Sequence, residues 1–418
     1  MNSQTIFILI LSIVIAGFLF DQWISYLNTT TWSKVLPESL KDFYDKQTYS
    51  RQQEYEQVNY KFGLLSDILS FSVIILMLLS GGFAWLDLIV RSYTGSPILQ
   101  AILFFGILGL AADILSMPLD IYHTFVIEQR FGFNKTTPRT YIFDKLKGWM
   151  LAVVIGGGLL ALIVFLFEKT GSWFWVLAWA AFSGFTLFIS YFYTTLLVPL
   201  FNKLTPLPAG ELRDAIEKVA VSAGFSLKDI SMMDGSKRSS KGNAYFSGFG
   251  RKKSIVLFDT LVNDHSVDEL VAVLAHEIGH YKKKHVLKGM LIGIAQTGAL
   301  LFILSLLLQS PLLAKALGAS EPSFHIGIIT FGILFSPISA VLGIILNLLS
   351  RKHEYEADRF ASGFSQPGSL QKALKQLSIK NLGNLTPHPW YVFVHYSHPP
   401  LLQRIAALDR FQGEGCHS

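Results

Sequence analysis

Two histidines and a glutamate lie within five consecutive residues, His276-Glu277-Ile278-Gly279-His280. On a helix, His276 and His280 project from one face with their Cβ atoms about 6 Å apart. Two ligands of one tetrahedral zinc ion need that spacing. Glu277 then stands beside the first ligand, where it can take a proton from water at the metal. A chain of this composition meets the pattern by chance roughly once in a hundred. The local sequence predicts the helix, over residues 266–285. Ser266 and Glu269 have capping-box spacing, and Leu270, Val273 and Leu274 form an apolar stripe.

Two imidazoles leave a catalytic zinc one protein ligand short. The charged run Ser350-Arg-Lys-His-Glu-Tyr-Glu-Ala-Asp-Arg359 supplies candidates. Glu354 and Asp358 are one helical turn apart. Glu354 can complete a two-His, one-Glu set with water in the fourth position, and Asp358 can then fix the tautomer of a ligand imidazole. On spacing alone Glu356 and His353 compete for the ligand role. A closed structural site needs four protein ligands, usually including Cys. The one cysteine, Cys416, is remote from these histidines in sequence, which argues against a transporter or channel carrying a structural zinc. It also has no partner for an internal disulfide, so the fold owes nothing to an oxidising compartment.

The elements that hold this chemistry are largely membranous. Of the 418 residues, 51% are hydrophobic and only 15% charged, where soluble domains carry roughly 25%. Seven segments are long and apolar enough to span a bilayer: about 4–20, 64–86, 98–118, 149–168, 173–200, 286–309 and 324–349. The first is read as a retained span, because Phe18, Phe20 and Trp23 stand where a cleavage site would place small residues. The net charge of +6 needs no nucleic-acid partner, since positive-inside topology accounts for it. One set of loops carries Lys34, Lys41, Lys46, Arg51 and Lys61, then Arg130, Lys135, Arg139, Lys145 and Lys147; the alternate loops carry only Arg91, Lys169 and Lys315. That predicts the N-terminus outside and the zinc motif on the cytoplasmic face.

The chain thus divides into spans one to five (1–200), a soluble stretch with the zinc motif (201–285), spans six and seven (286–349), and a second soluble stretch with the third ligand (350–418). The soluble stretches are expected to be mainly α, with a helix near 211–223 and short strands at Asp229–Met233 and Ser254–Phe258. Acidic residues inside or at the edge of spans, Asp67, Asp87 and Asp113, imply either paired charges or a hydrated interior. His123, His325 and His388 read as structural or solvated.

The combination of His276-Glu277-x-x-His280 with Glu354-Tyr-Glu-Ala-Asp358 resembles the integral-membrane zinc CAAX prenyl protease family, of gluzincin type. Thr124-Phe-Val-Ile-Glu-Gln-Arg-Phe-Gly-Phe-Asn134, Leu204-Thr-Pro-Leu207, Gly242-Asn-Ala-Tyr-Phe246 and His395-Tyr-Ser-His-Pro-Pro400 agree with it, over about residues 120–405. The resemblance implies a membrane all-α fold, with seven helices around a water-filled chamber and a small zinc-metalloprotease domain on the cytoplasmic side. It places the third ligand of one Zn2+ per chain at Glu354. It puts Asn243 and His398 in the substrate groove and makes Lys253–Phe258 an edge strand for an extended peptide. A functional His398 can donate a hydrogen bond to the oxyanion of the tetrahedral intermediate. The implied activity removes the C-terminal tripeptide of a prenylated protein in the endoplasmic reticulum or a bacterial inner membrane, in contact with membrane lipid. An alternative is quality-control proteolysis of membrane proteins without prenyl dependence.

Overall fold

This computed structural model describes residues 2–415, leaving out 34, 37, 39, 40, 42, 226, 228 and 248–253; Lys34, Lys253 and Cys416 lie outside the described residues. Among the described residues, six helical runs are long and apolar enough to cross a membrane: Ser3–Thr29, Lys46–Leu79, Pro97–Glu128, Pro138–Phe201, His285–Leu307 and Phe324–Ser362. The protein is a mostly helical, multi-pass membrane protein. The run Pro138–Phe201 contains both predicted segments 149–168 and 173–200. It is interrupted at Gly171, whose φ of 53° lies in the left-handed region that favours glycine. The helices on either side, Gly157–Thr170 and Phe174–Phe192, pack against each other.

The segment expected at 64–86 differs. Its helix begins at Lys46 and stops at Leu79, and the chain turns through Gly81 at φ 68°. The remaining apolar residues belong to a separate helix, Gly82–Tyr93. Continuous hydrophobicity hid the break, and the Gly81-Gly82 pair was the available signal.

The acids near the spans are partnered. Asp87 lies 2.6 Å from His325 Nε2 and accepts from Arg91 Nε at 2.9 Å. Asp113 accepts from Lys145 Nζ at 2.7 Å and Trp149 Nε1 at 2.9 Å, and Asp67 from Gln22 at 2.9 Å. His325 is thus a buried structural residue. His388 caps its helix by accepting from Trp390 N, and His123 bonds Asn59.

Beyond the spans lies a four-stranded sheet: β1 Leu204–Pro206, β2 Asp229–Met233, β3 Ala244–Ser247 and β4 Ser254–Phe258, in the order β1-β2-β4-β3. β2 and β4 run parallel, with Ile230 opposite Ile255, and the outer pairs are antiparallel. The two expected strands are present. The two short outer ones were not anticipated, because three or four residues hold too little alternation to register. The expected edge strand is corrected: β4 lies inside the sheet and β3 forms that edge. Ile255, Val256 and Leu257 are all fully buried, so both faces of β4 are covered, as an interior strand requires.

Helices Glu211–Ser222 and Val267–Lys282 cover one face. Ile216, Leu270 and Leu274 close with Ile230, Ile255 and Leu257 into one apolar core. The segment 131–136 ties this unit to the spans: Lys135 N donates to Arg238 O and Ser240 N to Phe133 O, each at 3.0 Å. Lys241 Nζ adds bonds of 3.0 Å to Tyr55 and to Glu128.

Candidate metal centre

The helix bearing the motif starts at a complete capping box. Ser266 Oγ accepts from Glu269 N, and Glu269 accepts from Ser266 N. It ends at Lys282, and Lys284 adopts φ 60° before the next span starts at His285. Its partner is Phe324–Ser362, which carries the last apolar stretch and continues without a break through Glu354 and Asp358. The domain boundary expected at 349/350 therefore falls inside one continuous helix of 39 residues, about 58 Å of helix at 1.5 Å per residue.

The two helices meet along small residues. Ala272, Ala275, Ala357 and Ala361 are fully buried. A Cβ on Gly279 would stand 3.1 Å from Ala357 Cα and 3.2 Å from Ala357 O. This close approach brings Glu354 onto the two histidines.

The ligand geometry follows. His276 Nε2 and His280 Nε2 are 3.1 Å apart. Glu354 Oε1 lies 3.2 Å from His280 Nε2, and Glu354 Oε2 lies 3.4 Å from His276 Nε2. With metal–ligand bonds of about 2.0–2.1 Å, tetrahedral ligand atoms sit about 3.3 Å from one another. Among the described residues, the buried Glu354 Oε2 has no hydrogen-bond partner, and these three residues form the only group able to hold a metal ion. The far sides of both rings are occupied by other partners, which turns each Nε2 inward. His276 Nδ1 lies 2.8 Å from Asp358 Oδ1. His280 Nδ1 lies 3.1 Å from His285 Nδ1, and His285 Nε2 lies 3.0 Å from Glu356 Oε2. The donor set fits zinc.

Electrostatics agree. Burial works against charge on His276, but its bonds to Asp358 and Glu354 outweigh that and push its pKa up to about 9. The site favours positive charge at this ring. Burial raises the Glu277 carboxyl above the ordinary glutamate range, against the pull of His276 and His280.

A cavity of about 410 Å³ opens over these groups, and His276, Glu277, His280, Glu354, Asn243 and His398 all line it. All the expected site residues except Asp358 thus meet in one cleft, with Asp358 directly behind His276. His398 is exposed, with Nε2 at 3.4 Å from Glu354 Oε1 and Nδ1 at 3.0 Å from Ser397 Oγ. The backbone of Asn243 is fixed by Phe258 N donating to its carbonyl at 3.0 Å, at the start of β3. Of the residues that compete on spacing, Glu354 lies with His276 and His280, while Glu356 and His353 face His285, with the His353 ring stacked on His285 at 3.9 Å.

Two of the residues behind the site were missed, and a third was read differently. Arg404 is buried and clamps Asp358, donating from Nε to Oδ2 at 2.9 Å and from Nη2 to Oδ1 at 2.5 Å. It stands six residues after His398 with no motif of its own, and no spacing argument reaches it. His285 was the other missed residue, and its partner Glu356 had been weighed only as a competing ligand. His285 follows His280 by five residues, and its being a histidine was the one available signal.

Comparison with known proteins agrees with this picture. Residues 206–412 match the model of Peptidase family M48. Residues 25–203 match the CAAX prenyl protease N-terminal region, described as five membrane helices. The chain belongs to peptidase family M48. CAAX prenyl protease 1 of Saccharomyces cerevisiae is 34% identical, covering 94% of this chain and 93% of its own length. A homolog of CAAX prenyl protease 1 from Homo sapiens is 31% identical over 89% of this chain and 88% of its own. The crystal structure of S. mikatae Ste24p superposes with a TM-score of 0.92 at 33% identity, covering 97% of this chain and 99% of that one. The protein is a metallopeptidase, and its fold is that of Ste24p.

Proposed function

We propose that this chain is a zinc metalloendopeptidase that removes the C-terminal tripeptide of prenylated CAAX proteins. The observation that carries the chemistry is the convergence of His276, His280 and Glu354 at tetrahedral ligand spacing beneath a cleft that also contains Glu277. The substrate class is inferred from near full-length similarity to proteins named CAAX prenyl proteases.

His276, His280 and Glu354 hold one zinc ion, which when bound polarises the scissile carbonyl and acidifies water. Glu277 takes a proton from the attacking water and returns it to the leaving amine. Asp358, held by Arg404, keeps the His276 Nδ1–H directed away from the cleft. His285 does the same for His280. His398, at the cleft rim, donates to the oxyanion of the tetrahedral intermediate. Asn243 orients the substrate backbone. The extended peptide adds to β3, whose outer edge follows directly from Asn243.

The reading extends to the membrane. Seven spans follow if Pro138–Phe201 crosses twice, a view supported by the break at Gly171. A cavity of about 1090 Å³ among the spans, with Asp113, Asp144 and Lys145 in its lining, supports a chamber between the helices. The basic loops put the cleft on the cytoplasmic side.

The test is cleavage of a farnesylated CAAX peptide beside its unprenylated twin by purified protein. Preferential cutting of the lipidated peptide supports the substrate assignment. Equal cutting of both sinks it and moves the role towards quality-control proteolysis.

A further inference from the structure

Outside the catalytic cleft, a second cavity of about 380 Å³ opens where spans His285–Leu307 and Phe324–Ser362 emerge from their apolar stretches. Its two walls carry Lys288 and Lys352, both exposed and neither in an ion pair among the described residues. Lys283 and Lys284, also exposed, lie just before Lys288. The lower walls are apolar: Leu291 and Ile292 from one span and Leu349 from the other. Leu291 is 56% exposed and has no protein cover on that side. One carboxylate, Glu356, lines the cavity, and its Oε2 is engaged by His285 at 3.0 Å.

Cationic heads above an apolar, bilayer-facing wall match one ligand chemistry. A phosphate fits that chemistry by lying between the lysines with its acyl chain along Leu291, Ile292 and Leu349. Free phosphate would use the lysines and leave the apolar wall bare. Basic pockets between spanning helices suit anionic lipid heads, each nearby lysine adding appreciable attraction.

The floor of this cavity is the back of the metal centre. His353 lines it and stacks on His285, with ring centroids 3.9 Å apart and planes 11° from parallel. His285 in turn fixes His280 through the 3.1 Å contact between their Nδ1 atoms. A group bound here touches His353, and so stands two residues from a ligand of the metal.

We propose that this cleft binds the headgroup of an anionic phospholipid, and that the bound lipid steadies the His353–His285–Glu356 stack that orients His280. The lipid would make metal retention depend on the surrounding membrane. The second half of the proposal rests on His280 being a metal ligand.

The test uses full-length protein in vesicles of phosphatidylcholine alone or of equimolar phosphatidylcholine and phosphatidylglycerol, with no substrate present. Native mass spectrometry reads retained lipid, and a chelator titration reads retained zinc. The wild-type protein is expected to keep phosphatidylglycerol in preference to phosphatidylcholine, and the double variant K288Q/K352Q to hold it about thirtyfold more weakly. Phosphatidylglycerol should raise the chelator concentration that strips half the zinc by about tenfold. That shift should vanish in K288Q/K352Q, and also in H353A when phosphatidylglycerol is raised until that variant retains as much lipid as the wild type. Equal lipid retention by wild type and K288Q/K352Q overturns the site. A chelator midpoint indifferent to lipid overturns the coupling. A wild-type protein that binds no zinc in either vesicle overturns the ligand assignment and the coupling with it, while the lipid measurement still decides the site.

Discussion

Gly279→Ala tests whether close helix approach builds the metal centre. The added Cβ would stand 3.1 Å from Ala357 Cα and 3.2 Å from Ala357 O. Comfortable contact starts near about 3.4 Å, and the obstacle is backbone that cannot rotate away, so the helices must separate by a few tenths of an ångström. Overpacking of this kind costs about 1–3 kcal/mol, and alanine returns about 1 kcal/mol of helix propensity. The net loss of stability is therefore small, about 0–2 kcal/mol. The functional loss should be larger. Separation draws Glu354 away from His276 and His280, and a misplacement of about 1 Å can cost a hundredfold in rate. A shift of a third to a half of that predicts roughly a tenfold fall in kcat and easier loss of zinc to a chelator. Gly289→Ala and Gly293→Ala are the controls, since nothing lies within 4 Å of a Cβ at either position. Both should keep activity. Full turnover and unchanged zinc retention in Gly279→Ala would refute the reasoning.

Two further outcomes follow from the same geometry. Asp358→Asn removes the charge that holds both His276 and the buried Arg404, so metal affinity should fall about 10–100-fold. Stability should drop by up to about 3 kcal/mol, because the buried Arg404 loses its nearer carboxylate and keeps only Glu354 Oε2 at 3.5 Å; chelator titration and thermal denaturation check the two effects. Burial raises the Glu277 pKa, and a base acts only when deprotonated, so kcat/KM should collapse as pH falls through that raised value. The acid limb should lie above the ordinary glutamate pKa of about 4.3, and a limb at or below it would remove Glu277 from the role.

The centre was legible because its residues obey helix periodicity. His276 and His280, like Glu354 and Asp358, are one turn apart, and each pair lies on a helix that starts or continues as its apolar pattern predicts. What joins the two pairs was not legible. The seam of Gly279, Ala275, Ala357 and Ala361 carries no chemistry-bearing residue type, and its role appears only when the helices are packed. Arg404 and His285 act through contacts between distant segments, which no local spacing encodes. The spans were found by hydropathy, and hydropathy misplaced the end of the second one because the residues after Gly81 are as apolar as those before it. The edge of the sheet was assigned to β4 on the family resemblance; the unbroken apolar run Ile255-Val256-Leu257 was the available mark of an interior strand, and the true edge, β3, is only four residues long.

The central claim is that a metal held by His276, His280 and Glu354 works with Glu277 as the base, and Glu277→Gln tests it most directly. The substitution keeps the size of the side chain and removes its basicity, so bound zinc should stay at one per chain. Turnover of a farnesylated CAAX peptide should fall by about 10²–10⁴-fold. Undiminished turnover with zinc in place would contradict the account.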